Sequence, residues 1–157
     1  MLNQLETYSV LPARDLARAR RFYRDVLGME PDEERVEGLL YRTPKGAAIV
    51  VYETENAGTA ANTAIGFDTD DIEAEDAVLR GRGVTFEEYD FPGLKTENGI
   101  ATTSADRAAW FKDTEGNIIC VSQTVAFGRS EAGSGRARRA PRSATDSPSP
   151  VPGRTSG

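Results

Sequence analysis

The sequence contains no histidine, one cysteine and one tryptophan among 157 residues. Without an imidazole, the chain cannot build a Ser-His-Asp or Cys-His nucleophile, a histidine-ligated metal centre or a histidine general base. A single thiol excludes internal disulfides and thiolate-cluster zinc sites, and it fits a reducing cytoplasm. No apolar run approaches the roughly 20 residues that span a bilayer. The opening residues MLNQLETYSV carry neither a basic segment nor an apolar one, so no secretion signal is read there. A glycine-rich phosphate loop is also missing, because Pro44-Lys45-Gly46 lacks the preceding glycines and the following helix. The expected location is cytoplasmic, with no membrane partner.

What is present is ordinary globular material followed by a different kind of chain. The sequence is 38% hydrophobic and 28% charged with a net charge of −6, enough to bury a core and remain soluble. From residue 127 it turns to Gly, Ser, Pro and Arg, with Val151 the only large aliphatic residue after Gly128. Such a segment cannot bury enough apolar surface to offset its chain entropy, so 127–157 is expected to be a disordered basic tail. Its six arginines face two acids, a net +4 that leaves −10 on the remainder. That acidic body makes nucleic acid an unfavourable partner, although the tail cluster RARRAPR could touch RNA, DNA or anionic lipid weakly.

Residues 1–126 read as one domain made of the same unit twice, about 1–55 and 60–126. In the first unit the alternating strand LETYSVL leads to a helix capped by Asp15 and closed by Gly28. Leu16, Ala19, Phe22, Tyr23, Val26 and Leu27 form its apolar stripe. Arg14, Arg18, Arg20, Arg21 and Arg24 then decorate a solvated face. Strands are expected at 31–36, 39–43 and 47–53. In the second unit a strand at 63–69 precedes a helix capped by Asp70-Asp71, with acidic first turns and a basic end that suit its dipole. Strands at 84–89, 108–112 and 118–123 follow, with Asp113–Asn117 as a hairpin turn. The period is about 55 residues, too few copies for a solenoid. The order βαβββ-βαβββ is an α+β plan with helices outside curved sheets.

That order, with its particular words, resembles the vicinal oxygen chelate superfamily of glyoxalases, bleomycin-resistance proteins and extradiol dioxygenases. The matching words are Arg14-Asp15-Leu16, Phe22 to Met29 (FYRDVLGM), Phe67 to Ile72 (FDTDDI) and Trp110 to Ile118 (WFKDTEGNI). The resemblance implies two modules forming a partly open eight-stranded cup, with sites often formed between paired modules of a homodimer. Active relatives hold a divalent metal there through His or Glu ligands on four strands, polarising vicinal substrate oxygens. Counting from the matched words carries those positions onto Tyr8, Val50, Ala64 and Cys120. These four side chains are not the hard oxygen and nitrogen shell that Ni, Zn, Fe or Mn requires. The expectation is therefore no metal and no cofactor. Relatives of the bleomycin-resistance type bind a small-molecule ligand without chemistry.

Strand parity supplies a lining for such a groove. Tyr8, Val50, Tyr52, Ala64 and Cys120 would face inward, a mostly apolar set with a few polar tips. The alternative is that these side chains close the cup as core. Tyr8 and Tyr52 are either hydrogen-bond donors to a ligand or ordinary strand aromatics. Trp110 either stacks on a planar ligand or packs the core, and Cys120 has no cationic neighbour in sequence to activate it. The long stretch 89–107 reads as a lid, with Lys95 and Arg107 as counter-charges for an anionic ligand. The second functional expectation is a lyase, isomerase or dioxygenase with a carboxylate metal site drawn from Glu6, Glu53, Asp113 and Glu115.

Overall fold

The computed structural model describes residues 1–124; the tail expectation for 127–157 lies outside the described residues. The first module comprises β1 (Ser9–Ala13), α1 (Leu16–Asp25), β2 (Glu33–Arg35), β3 (Gly38–Arg42) and β4 (Ala48–Glu53). The second comprises β5 (Thr63–Asp68), α2 (Ile72–Gly81), β6 (Asp90–Phe91), β7 (Leu94–Glu97), β8 (Ile100–Thr102), β9 (Asp106–Lys112) and β10 (Ile118–Thr124). Each module makes its own sheet, ordered β1-β4-β3-β2 and β5-β10-β9-β8-β7-β6. The first and last long strands of a module pair in parallel, Val10 with Val50 and Gly66 with Cys120. The duplication read from the sequence is thus repeated in the strand pairing. Among the described residues, no helix is long and apolar enough to cross a membrane.

Both helices start where the caps place them. The Asp15 side chain accepts from the Arg18 amide at 2.8 Å, and that of Asp71 accepts from the Ala74 amide at 3.0 Å. Each helix covers one face of its sheet and buries every second residue beneath it. The first core is built on Leu11, Ala13, Tyr23, Leu39, Tyr41, Ile49 and Val51. The second is built on Ile72, Leu79, Phe86, Ala109, Phe111, Ile119 and Val121. Phe22, Leu27, Ile65 and Phe67 pack against both clusters, so the modules share one hydrophobic seam.

Three local expectations are corrected. The first strand begins at Ser9, so Tyr8 precedes it. The region 84–89 contributes only a bridge between Phe86 and Phe111, because the backbone of Glu87 bonds to Trp110 and the chain then turns away. The supposed lid at 89–107 is largely the short strands β6, β7 and β8, so the second sheet has six strands and the cup ten in all.

The hairpin between β9 and β10 is the clamp between modules. Asp113 accepts from the amides of Glu115 and Asn117, from the Asn117 side chain and from the Tyr23 hydroxyl. Asn117 also donates to the carbonyl of Pro12 at 2.9 Å, across 105 residues of sequence. Glu115, whose side chain has no exposed surface, accepts from the amides of Arg14 and Asp15 and from the Arg18 guanidinium. The arginine series of α1 is accordingly paired more than solvated: Arg20 meets Glu30 and Glu34, and Arg24 meets Asp25.

Candidate functional site

The helices cover one face of each sheet and leave the other, concave face open. The residues that alternate with the core line this face. In the first module these are Val10, Leu40, Val50 and Tyr52, with Tyr8 just before β1. Tyr8 is 62% exposed, Val10 51% and Tyr52 40%. The cup is therefore not filled by its own side chains on this side.

In the second module the open face carries Cys120 on β10, Gly66 beside it on β5 and Trp110 beside it on β9. The Trp110 indole N–H donates to the Thr63 hydroxyl at 3.2 Å. The ring thus reaches from β9 across β10 to β5. Its other side meets Tyr89 edge to face at 5.7 Å, and Tyr89 meets Phe91 in the same way at 5.7 Å. Lys112 pairs with Glu87 beside them. Burial pushes the Cys120 thiol up to about 11, so it stays protonated and is no nucleophile at neutral pH. Burial, with Glu87 nearby, raises the Tyr89 phenol in the same sense and keeps it a hydrogen-bond donor.

Six of the seven sequence-selected residues therefore lie on the concave side. Tyr8, Val50 and Tyr52 belong to its first half, and Ala64, Trp110 and Cys120 to its second. Arg107 does not join them. It shares the parity of Ala109 and Phe111, faces α2 and pairs there with Glu73. Lys112 is the cation that does border the site. Tyr89 and Phe91 were missed because they were assigned to a strand end and a lid. The signal that would have found them is the alternation Glu87, Tyr89, Phe91.

A small recess opens where the modules meet, lined by Pro12, Asn56, Asn62, Ala64, Asn117 and Ile118 among others, with a volume of about 70 Å³. Ligand pockets for drug-sized molecules run to roughly 300–1,000 Å³. The recess suits ordered water, and the open concave face is the larger candidate surface.

The metal of the active relatives does not fit these residues. Val50 and Ala64 offer no donor atom, and among the described residues no three His, Cys, Asp or Glu side chains gather to hold an ion. Nor is the carboxylate alternative assembled: Asp113 and Glu115 are committed to the interdomain hairpin, while Glu6 and Glu53 are exposed.

The sequence profile of the Glyoxalase/Bleomycin resistance protein/Dioxygenase superfamily matches residues 3–121. The chain belongs to this superfamily. Solved members share the fold at low identity. TnmS3, an antibiotic binding protein from Streptomyces sp. CB03234, is 24% identical over 76% of this chain and 97% of its own, with a TM-score of 0.57. A bleomycin-binding protein solved with bleomycin is 14% identical over 76% and 98%, with a TM-score of 0.59. Lactoylglutathione lyase from Agrobacterium tumefaciens is 18% identical over 79% and 96%, with a TM-score of 0.57. No curated protein shows a significant match to the chain. Superfamily members of both kinds, binders and enzymes, thus share this architecture, and the side chains on the concave face must discriminate between them.

Proposed function

We propose that the chain is a metal-free binding protein that holds a small organic molecule, an antibiotic or a metabolite, on its concave face. One observation carries this reading. The four positions that hold metal in active relatives stand on an open face as a phenol, two alkyl groups and a protonated thiol. That is a surface for recognition and not for Lewis-acid chemistry. Antibiotic-binding members with the same fold support it. The half-exposed Tyr8, Val10 and Tyr52, with Leu5 nearby in sequence at 63% exposure, give a second copy an apolar surface to cover. The working form in this proposal is a homodimer in the cytoplasm.

The test is thermal denaturation against a panel of antibiotics and metabolites that includes bleomycin, with elemental analysis of the same preparation. A compound at 100 times its Kd adds about 2.7 kcal/mol of stability. That gain should disappear in Tyr8→Ala or Trp110→Leu protein. Stoichiometric Ni, Zn, Fe or Mn surviving dialysis would overturn the metal-free assignment. A panel without a single stabilising compound would overturn binding.

A further inference from the structure

We infer that the second module's half of the concave face is a subsite for a planar aromatic ring, with Thr63 as its positioning residue. The inference deepens the binding reading above and rests on it. The floor is low where a ring would need space. Cys120 is small, its neighbour Gly66 has no side chain, and a Cβ built on Gly66 would meet nothing within 4 Å. The wall is tall and aromatic. Trp110, Tyr89 and Phe91 follow one another edge to face at 5.7 Å spacings, with interplanar angles of 69° and 60°. Phe91 at the outer end remains 53% exposed, so the series of rings continues into solvent and does not end in the core.

Thr63 sets the orientation of this wall. Indole has one hydrogen-bond donor, and it is spent on the Thr63 hydroxyl at 3.2 Å. With Tyr89 packed on it as well, the Trp110 ring is held at two places before any ligand arrives. Preorganised rings favour a flat, polarisable partner over a puckered one of equal size, because ring pairs gain from quadrupole geometry beyond their buried area. The polar groups around the step select further. Cys120 and Tyr89 are both held in their protonated forms, and Lys112 and Glu87 neutralise each other. The subsite is electrically neutral and donor-rich, which suits an uncharged ring system bearing an oxygen acceptor.

The matched pair 2-naphthol and decahydro-2-naphthol isolates planarity at constant skeleton and hydroxyl. Isothermal titration of the full chain should show 2-naphthol binding about tenfold more tightly. The sequence has a single tryptophan, so one indole N–H resonance in a proton–nitrogen correlation spectrum reports the subsite, and 2-naphthol should move it. Gly66→Leu fills the floor without strain and should abolish the preference, as should Trp110→Leu. Thr63→Val should reduce the preference while leaving decahydro-2-naphthol unaffected, and Thr63→Ser should restore it. Equal affinities, or binding with the indole resonance unmoved, would overturn the inference. If a compound from the stability panel binds, survives Gly66→Leu and Trp110→Leu, and is lost in Tyr8→Ala, this subsite falls while the concave-face reading stands. If neither probe nor any panel compound binds, both fall.

Discussion

Replacing Glu115 tests whether the two modules are held by the hairpin carboxylate. This side chain is fully enclosed, yet it is not paired to one partner alone. One oxygen accepts from the amides of Arg14 and Asp15 at 2.8 and 3.2 Å, at the entry to α1, and the guanidinium of Arg18 binds both oxygens at 2.7 and 3.0 Å. A hydrogen bond to a charged acceptor is worth roughly 1.5–3 kcal/mol. Two amide bonds at the lower end give a loss of about 3 kcal/mol for Glu115→Ala. Arg18 is largely exposed and adds no figure of its own. Glu115→Gln retains an oxygen for the amides and should cost less, about 1 kcal/mol. The measurement is urea denaturation at pH 7, with the midpoint shifted and the slope unchanged. Acidification supplies a second arm. Burial raises the carboxyl, but Arg18 and the two amides outweigh it and hold the group below its ordinary 4.5 in the fold. Its stabilisation is then complete above that ordinary value and is lost as pH falls through the lower folded one. The gap between wild type and Glu115→Gln should therefore narrow in acid. Asp113, which burial raises, runs the opposite way but is common to both proteins and cancels. A loss below about 1 kcal/mol for Glu115→Ala, or a gap that widens in acid, would refute the clamp.

Two further outcomes follow from the seam and the core. Gly116 has φ +86°, and an added Cβ would stand 2.8 Å from the Gly58 Cα, whereas Gly46 at φ +90° has nothing within 4 Å. Gly46→Ala should cost about 1–2 kcal/mol for its backbone alone, and Gly116→Ala measurably more in the same denaturation assay; equal losses would mean that the two backbones are free to separate. The hydroxyl of Tyr41 is buried with no partner, while that of Tyr23 donates to Asp113 at 3.3 Å. Tyr41→Phe should leave the melting temperature unchanged or higher, and Tyr23→Phe should lower stability by about 1 kcal/mol. Reversal of that order would show that the Tyr41 hydroxyl is satisfied in solution.

Most of the fold was legible because local signals and tertiary packing agree. Asp15 and Asp71 cap the helices the spacing predicts, and the apolar stripe of α1 buries Ala19 and Tyr23 as expected. The stretch 84–107 was harder. Its strands are two to four residues long, too short for a period of two to stand out, and Pro92-Gly93 reads as loop. The consequence reached the site: Tyr89 and Phe91 were lost to a lid, and Arg107 was drawn into the cup. Arg107 sits one residue out of phase, and a shift of one in a strand exchanges faces. Trp110 was undecided between packing and stacking from sequence, since only the partner of its indole N–H separates them.

The placement of these groups also explains how the four metal positions can hold other residues in a stable protein. Core and clamp occupy the helix side and the seam. Tyr23, Asp113, Glu115 and Asn117 join the modules there, and Leu11, Val51, Ile119 and Val121 fill the cores. Tyr8, Val50, Ala64 and Cys120 belong to neither buried cluster. A strand that buries one face leaves alternate residues unconstrained by packing on the other. Loss of a metal ligand on that face removes its chemistry without opening a cavity in the core, and what remains is a twisted apolar surface on a scaffold that does not depend on it. Retention of this open surface, with an aromatic wall oriented by Thr63, is what separates a binding protein from a relative that has merely lost its metal.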